Sequence, residues 1–328
     1  MDRKKVGRSD VEISAIGLGT TTFGREIDQD TAFKIMDYAL ENGITFFDTA
    51  EAYGGGQAFE NRKASYGTTD IREKSVEMSS SELIIGRWMK SRDARKDVQI
   101  CTKISYGRGK AEEIRTSIDA SLKRLGTDYV DIYKIHAPDV NTPISETLGE
   151  LANQVDLGKT RTIGGSNYNQ FQISEMLDSA KNNRYKRFEI MQPNYSLAVP
   201  DAEIDVFPIC TKEEIAITPY SPLGAGFLTG KYIRGNKKAI PKGTRMDIAP
   251  VHIDIYFNDR SFNIVDQLKI KSEELSVPIT QLAMAWVMSN KSVTAALAGA
   301  KSPDHLKTAI DAYNMKLGDL RDEMSSWE

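Results

Sequence analysis

The sequence predicts an α/β protein in which eight parallel strands close into a (β/α)8 TIM barrel, with an N-terminal β-hairpin and long loops at the C-terminal rim. Three observations lead there. Short apolar runs, too short for helices, recur eight times along the 328 residues. Amphipathic helical patterns fall between them, the alternation of a parallel sheet. The first run is followed by GLGT at 17–20 and not by the GxGxxG loop expected of an open, doubly wound sheet.

Each element has a local reason. Residues 5–13, split by Gly7, Arg8, Ser9 and Asp10, read as the hairpin. Residues 15–18 are the first barrel strand, closed by Gly19, Thr20 and Thr21. From 28 to 42, Ala32, Phe33, Ile35, Met36, Ala39 and Leu40 keep helical spacing, with Asp28 or Asp30 as cap and Gly43 as stop. ITFF at 44–47 is the second strand, a helix follows at 81–90, and the third strand lies at 98–104. Between 110 and 125, Ile114, Ile118, Leu122 and Leu125 line one helix face that ends at Gly126. Strand 130–135 and helix 144–157, closed by Gly158, come next. Further strands are expected at 160–164, 189–192, 215–220 and 294–297, and further helices at 169–182, 202–212, 262–275, 279–288 and 303–313.

Two segments interrupt the alternation. Residues 54–80 are too charged for a core, and 224–258 are rich in glycine, proline and basic residues. Both follow strands on the side where barrels carry their active-site loops, so both are expected as rim loops. They read there as a lid or substrate wall, or else as solvated decoration or an oligomer contact. The chain 1–328 is read as one barrel domain.

Composition narrows the function classes. The chain is 40% hydrophobic and 27% charged, enough apolar material for a large core, with a formal net charge of −3. No basic tract stands out, which argues against nucleic acid or an anionic membrane as partner. No apolar run approaches the roughly 18 residues of a membrane span, and MDRKKVGRSD lacks the apolar segment of a signal peptide. Cys101 and Cys210 sit in or beside apolar runs and read as buried free thiols. A soluble, cytoplasmic setting is expected, with the oligomeric state open.

The strand ends carry the chemistry. In order they present Gly19, Thr20 and Thr21; Asp48 and Tyr53; Lys103; His136; Ser166 and Asn167; Gln192; Tyr220 and Ser221; and Gly299, Ala300, Lys301 and Ser302. One histidine or lysine at a strand end is more often a satisfied structural group. Eight successive polar ends on one rim are hard to attribute to packing, because buried ionisable groups are costly unless paired.

The types point to proton transfer at a carbonyl. A free tyrosine, with a pKa of about 10, is a poor acid at neutral pH, and a nearby ammonium such as Lys103 lowers it. Asp48 can keep that lysine charged, and His136 can donate a hydrogen bond to a carbonyl oxygen. His136, His252 and His305 do not fall at ligand spacings with carboxylates or thiols, so no metal site is expected. A hydride source is still needed. Ser166, Asn167 and Gln192 offer what a carboxamide requires, Tyr220 can stack on a nicotinamide ring, and Ser302-Pro303 opens a helix where barrels often hold phosphate, although taken alone it reads as an ordinary capped helix. Phe23, Trp88, Tyr106, Tyr168 and Tyr256 are candidates for lining a substrate pocket.

DTAEAYG at 48–54, TK at 102–103, the run IRTSIDASLKRLGTDYVDIYKIHAPD at 114–139, GKTRTIGGSN at 158–167, QPNYS at 192–196, YSPLGAGFLTGKY at 220–232 and GAKSP at 299–303 resemble the aldo-keto reductase family. The likeness runs through nearly the whole chain in the family's order. It implies a barrel that binds NADPH in extended form and a tetrad of Asp48, Tyr53, Lys103 and His136, with Tyr53 as general acid in reduction and general base in oxidation. It also implies that Ser166, Asn167 and Gln192 hold the carboxamide, Tyr220 stacks on the nicotinamide, and Leu223, Gly224 and Gly226 cross the pyrophosphate. Lys301 is left to meet a 2′-phosphate, which favours NADP(H), with NAD(H) as the alternative. Three departures stand out. The insertion after Tyr53 is longer than the family's short link, Thr308-Ala309 replace a Glu-Asn pair that faces adenine, and His305 replaces an arginine.

Three readings follow. The first is an NADP-dependent oxidoreductase interconverting a small-molecule carbonyl and its alcohol. The second is a regulatory subunit that uses the same barrel to sense cofactor redox state. The third makes Lys103 a Schiff-base lysine in an aldolase-like barrel.

Overall fold

The computed structural model describes residues 1–327. Arg3–Lys5 (β1) and Glu12–Ser14 (β2) pair antiparallel as the expected hairpin. The barrel strands are Ile16–Gly19 (β3), Phe46–Asp48 (β4), Gln99–Ile104 (β5), Val130–Ile135 (β6), Thr160–Ser166 (β7), Ile190–Gln192 (β8), Ala216–Ile217 (β9) and Ala296–Gly299 (β10). They form one eight-stranded parallel sheet in the order β10-β3-β4-β5-β6-β7-β8-β9. Its two ends meet through backbone bonds from Thr294 N to Ile217 O (2.8 Å) and Leu297 N to Pro219 O (3.1 Å). Curling the sheet on itself leaves no open edge.

Helices pack around it: Gln29–Glu41 (α1), Gly55–Tyr66 (α2), Ser80–Arg92 (α3), Ala111–Leu125 (α4), Ile144–Asp156 (α5), Gln170–Asn183 (α6), Val206–Lys212 (α7), Arg245–Ile248 (α8), Val251–Tyr256 (α9), Asp259–Leu275 (α10), Ile279–Met288 (α11), Pro303–Asn314 (α12) and Leu320–Ser325 (α13). The start of α1 is decided for Asp28, whose Oδ1 accepts from Thr31 N at 2.9 Å. Asn169 and Gln172 form a reciprocal capping box on α6. Among the described residues no helix is long and apolar enough to cross a membrane. Both cysteines are free and buried.

Two cores result. The larger lies between sheet and helices. The smaller fills the lower barrel, where Val6, Val11 and Ile13 of the hairpin plug the floor against Phe46, Cys101, Ile132, Ile190, Ala216 and Leu297. Sealing that end leaves the other as the way in.

The structure departs from expectation in three places. The segment 54–80, expected as a rim loop, begins with α2. A Cβ on Gly55 would stand 1.8 Å from Ser75 O, so glycine is needed for the returning chain to cross so closely. A buried Arg62–Glu73 ion pair then ties α2 to that return. In 224–258, the second rim segment, α8 and α9 form, and Arg72 Nη1 joins the two segments at 2.8 Å from Asp247 Oδ1. The helix expected at 202–212 splits, because Pro208 has no N–H for a bond to residue 204 and is tolerated only in a first turn.

Candidate active site

Alternation along the strands builds the site in layers. Side chains two residues apart point the same way, so the positions above the apolar floor also face into the barrel. Above Phe46 comes Asp48, above Cys101 Lys103, above Ile132 Lys134, above Ile190 Gln192 and above Ala216 Thr218. All five are buried. His136, one more step up from Lys134, reaches the rim.

The tetrad residues converge. Asp48 Oδ1 accepts from Lys103 Nζ at 2.6 Å and from Gln192 Nε2 at 3.2 Å. Lys103 Nζ also donates to Thr49 O at 2.6 Å and lies 4.9 Å from the Tyr53 ring centroid. The Tyr53 hydroxyl is 3.4 Å from His136 Nε2, and the two rings meet edge to face. Among the described residues this is the hydroxyl's one hydrogen-bond partner. Lys103 therefore lies over the ring without a hydrogen bond to the phenol oxygen.

Electrostatics sorts these groups. Burial pushes the Asp48 carboxyl up, but the Lys103 and Lys134 ammoniums outweigh it and hold it below the usual carboxylate range. Burial, and then the negative charge of Asp48, push the Tyr53 phenol above its ordinary value, so it stays protonated. Burial, and then Lys103, push His136 down to about 3, which leaves a neutral imidazole. Its Nδ1 is buried without a partner, so Nε2 is the ring atom that faces the reaction space.

That shift has a measurable sign. The unfolded chain protonates His136 near 6.5, whereas the folded chain keeps it neutral down to about 3. Its contribution to stability is complete above 6.5 and is lost as the pH falls towards 3. His136→Gln is expected to flatten the fall in Tm between about pH 6.5 and 5, measured by circular dichroism melts. His252, also pushed to about 3, keeps part of the slope in the variant. An unchanged slope would mean that His136 is charged in the folded protein.

The later strand ends meet one another too. Ser166 Oγ donates to Gln192 O at 2.7 Å, Asn167 Nδ2 donates to His136 O at 2.8 Å, and Tyr220 OH donates to Asn167 Oδ1 at 2.9 Å. Asn167 (φ 62°) and Ser221 (φ 58°) are left-handed, as are Gly224, Ala225 and Gly226 beyond Leu223. Thr20 is turned inward, its Oγ1 donating to Asp48 O at 3.0 Å, while Gly19 and Thr21 stay half-buried. Gly299 is exposed and a Cβ there would meet nothing. Buried Ala300 accepts from Thr22 Oγ1. Lys301 Nζ donates to Gly243 O at 2.8 Å. Ser302 precedes α12 in extended conformation without a side-chain cap bond; the nearby contact is Lys301 N to His305 Nδ1, 3.2 Å.

Several residues went unread in the sequence. Lys134 carries no signal beyond its place in strand 130–135, except that its parity with Ile132 and His136 marks an inward position. Arg25 and Glu26 after β3 gather near Lys301 with Lys231 and Arg245, which segment 224–258 brings in. Glu26 pairs with Arg25 and Arg245, each at 2.9 Å. Burial raises its carboxyl, yet Arg245 and Arg25 outweigh that and hold it at about 2. Burial, then Lys301 and Arg245, lower Lys231. Four cations around one carboxylate leave a surplus of positive charge. Nothing local in the sequence marks it, since the groups lie far apart along the chain.

Of the aromatics expected in a pocket, Tyr106 stands at the converging groups, stacked on His136 with centroids 4.4 Å apart. Trp88 belongs to the outer core, on Phe47 and hydrogen-bonded to Asp37. Phe23 is fully buried, and Tyr168 packs on Phe188. Tyr256 bonds Asn194 and lies under Gly224.

Fold and site together define a (β/α)8 barrel whose ionisable groups converge at the C-terminal ends of its strands. Residues 15–327 match the Aldo/keto reductase family. The chain belongs to that family of oxidoreductases, which act on small molecules and generally use NAD(P)H. It is 31% identical to the uncharacterized oxidoreductase YrpG of Bacillus subtilis, over 97% of this chain and 92% of that one. It is 32% identical to a probable voltage-gated potassium channel subunit beta of Arabidopsis thaliana, over 96% and 92%. Norsolorinic acid reductase B of Dothistroma septosporum is 27% identical, over 98% and 79%.

Proposed function

We propose that the protein is an NADP-dependent oxidoreductase interconverting an aldehyde or ketone and the corresponding alcohol. In this reading 1–328 work as one barrel domain, with 54–80 and 224–258 as walls at the rim. The observation that carries it is the convergence of the Tyr53 hydroxyl and His136 Nε2, 3.4 Å apart above a buried charged layer. Two such groups can hold one carbonyl oxygen between them.

The donor set suits a nicotinamide dinucleotide. Gln192, Ser166 and Asn167 would hold the carboxamide, Tyr220 the ring face, and Gly19, Thr20, Thr21 and Asp48 the inner wall. Leu223, Gly224 and Gly226 would carry the pyrophosphate, with Ser221 at the turn that leads to them. The surplus cations fit phosphate, and Gly226 leaves the face beside Lys231 Nζ clear, where a Cβ would stand 3.2 Å away. Gly299, Ala300, Lys301, Ser302 and His305 would take the 2′-phosphate end. When bound, this cofactor supplies a hydride to the carbonyl carbon.

The chain's own residues then manage the proton. In reduction Tyr53 gives its proton to the carbonyl oxygen, and in oxidation it takes one from the alcohol. Its raised affinity for the proton keeps it loaded as a donor. Lys103, held by Asp48 over the ring, stabilises the phenolate as it forms. Neutral His136 donates from Nε2 to the same oxygen and orients the substrate.

Titration with NADPH and with NADH, followed by quenching of intrinsic fluorescence, is the first test. NADPH is expected to bind more tightly. Lys301→Ala is expected to weaken NADPH by about tenfold or more and NADH little. Equal losses would remove Lys301 from the 2′-phosphate, and failure of both cofactors to bind would end the oxidoreductase reading.

The likeness to a probable potassium channel subunit beta favours a second reading, a redox-sensing regulatory subunit on the same barrel. Turnover of a panel of aldehydes and ketones separates the two. Cofactor binding with no turnover of any carbonyl would favour the subunit.

A further inference from the structure

Lys134 is the one buried cation of the interior layer to which the mechanism gives no task. Its register partners are Lys103 on β5 and Gly164 on β7. Its Nζ lies 3.0 Å from Gln192 Oε1, 3.5 Å from Asp48 Oδ2 and 3.5 Å from Thr218 Oγ1. Three oxygens around a group with three N–H bonds are what an ammonium requires. The same contacts settle the Gln192 amide. With Lys134 donating to Oε1 and Nε2 donating to Asp48, a flipped amide would set donor against donor at Lys134 and acceptor against acceptor at Asp48.

The charges in this layer do not balance. Lys103 and Lys134 face one carboxylate, Asp48. Gly164 brings no side chain, and Thr218 and Gln192 are neutral. Cys101 just below is no hidden anion, since burial pushes its thiol up to about 12. His136 above is neutral. One uncompensated positive charge remains, shielded from solvent.

We propose that Lys134 sets the redox preference of the cofactor site: it locks the Gln192 amide in one orientation and holds a net positive charge beneath the nicotinamide position, so the protein binds the neutral, reduced nicotinamide in preference to the oxidised cation. The inference rests on the reading of Gln192 as the carboxamide holder. Lys134 acts through Gln192 and through its field; it is a positioning residue and not a proton donor.

The two oxidation states carry the same phosphates, so the ratio of their dissociation constants cancels the cation cluster around Glu26 and isolates charge near the ring. A buried charge is also poorly screened, so the ratio should persist as salt is raised while both constants weaken. The test is fluorescence titration of wild type, Lys134→Gln and Lys134→Arg with NADPH and NADP+, alongside thermal melts. Wild type is expected to favour NADPH. Lys134→Gln, which can still donate to Gln192 Oε1, is expected to reduce the Kd(NADP+)/Kd(NADPH) ratio by about tenfold or more, while Lys134→Arg keeps it. An unchanged ratio in a folded Lys134→Gln overturns the proposal and leaves the oxidoreductase reading standing. If that variant does not fold, Lys134→Met replaces it. If neither folds, the wild-type ratio decides, and a preference for NADP+ overturns the proposal. Failure of wild type to bind either form removes the underlying reading and the proposal with it.

Discussion

Tyr53→Phe is expected to lower kcat by about 10³-fold or more, with cofactor affinity unchanged. The substitution removes one oxygen and keeps the ring that packs on His136 and Lys103. The wall of the pocket survives and the transferable proton does not. Neutral His136 still offers its Nε2 hydrogen to the carbonyl oxygen, so a residual rate is expected. Steady-state rates at saturating carbonyl, with cofactor Kd measured separately, check this. A collapse of cofactor binding with kcat retained would make Tyr53 a structural wall instead of the acid.

Asp48→Asn is expected to cost about 3–5 kcal/mol of stability, because it removes one partner of a buried ion pair. The carboxylate takes Lys103 on Oδ1 and Lys134 on Oδ2, so asparagine leaves two buried ammoniums facing a neutral amide. Lys103→Met is expected to cost less, since it leaves Asp48 with Lys134. Urea unfolding of the three proteins measures the order. If Lys103→Met proves the more damaging, Lys134 is not a charge partner of Asp48, and the imbalance inferred for the interior layer falls with it.

Much of the frame was legible before the structure. Helix stops at Gly126 and Gly158, an aspartate cap at 28 or 30 and the run VDIYKI at 130–135 are local signals, readable from spacing and turn chemistry. Segment 54–80 was misjudged because α2 has almost no apolar face; tertiary ties through Gly55 and the buried Arg62–Glu73 pair hold it. Trp88 looked like a pocket residue because its type suits one, yet its place on α3 turns it to the outer core.

The sequence by itself determined the barrel and the set of polar groups that stand at its strand ends. Each of these follows from short-range periodicity and from which residues stand where strands end. Only the tertiary structure decided which further groups meet: Lys134 on Gln192 and Asp48, and Arg25 and Arg245 on Glu26. Those pairings join residues far apart in the chain, and they depend on ångström-scale distances inside a dry interior that no local pattern encodes.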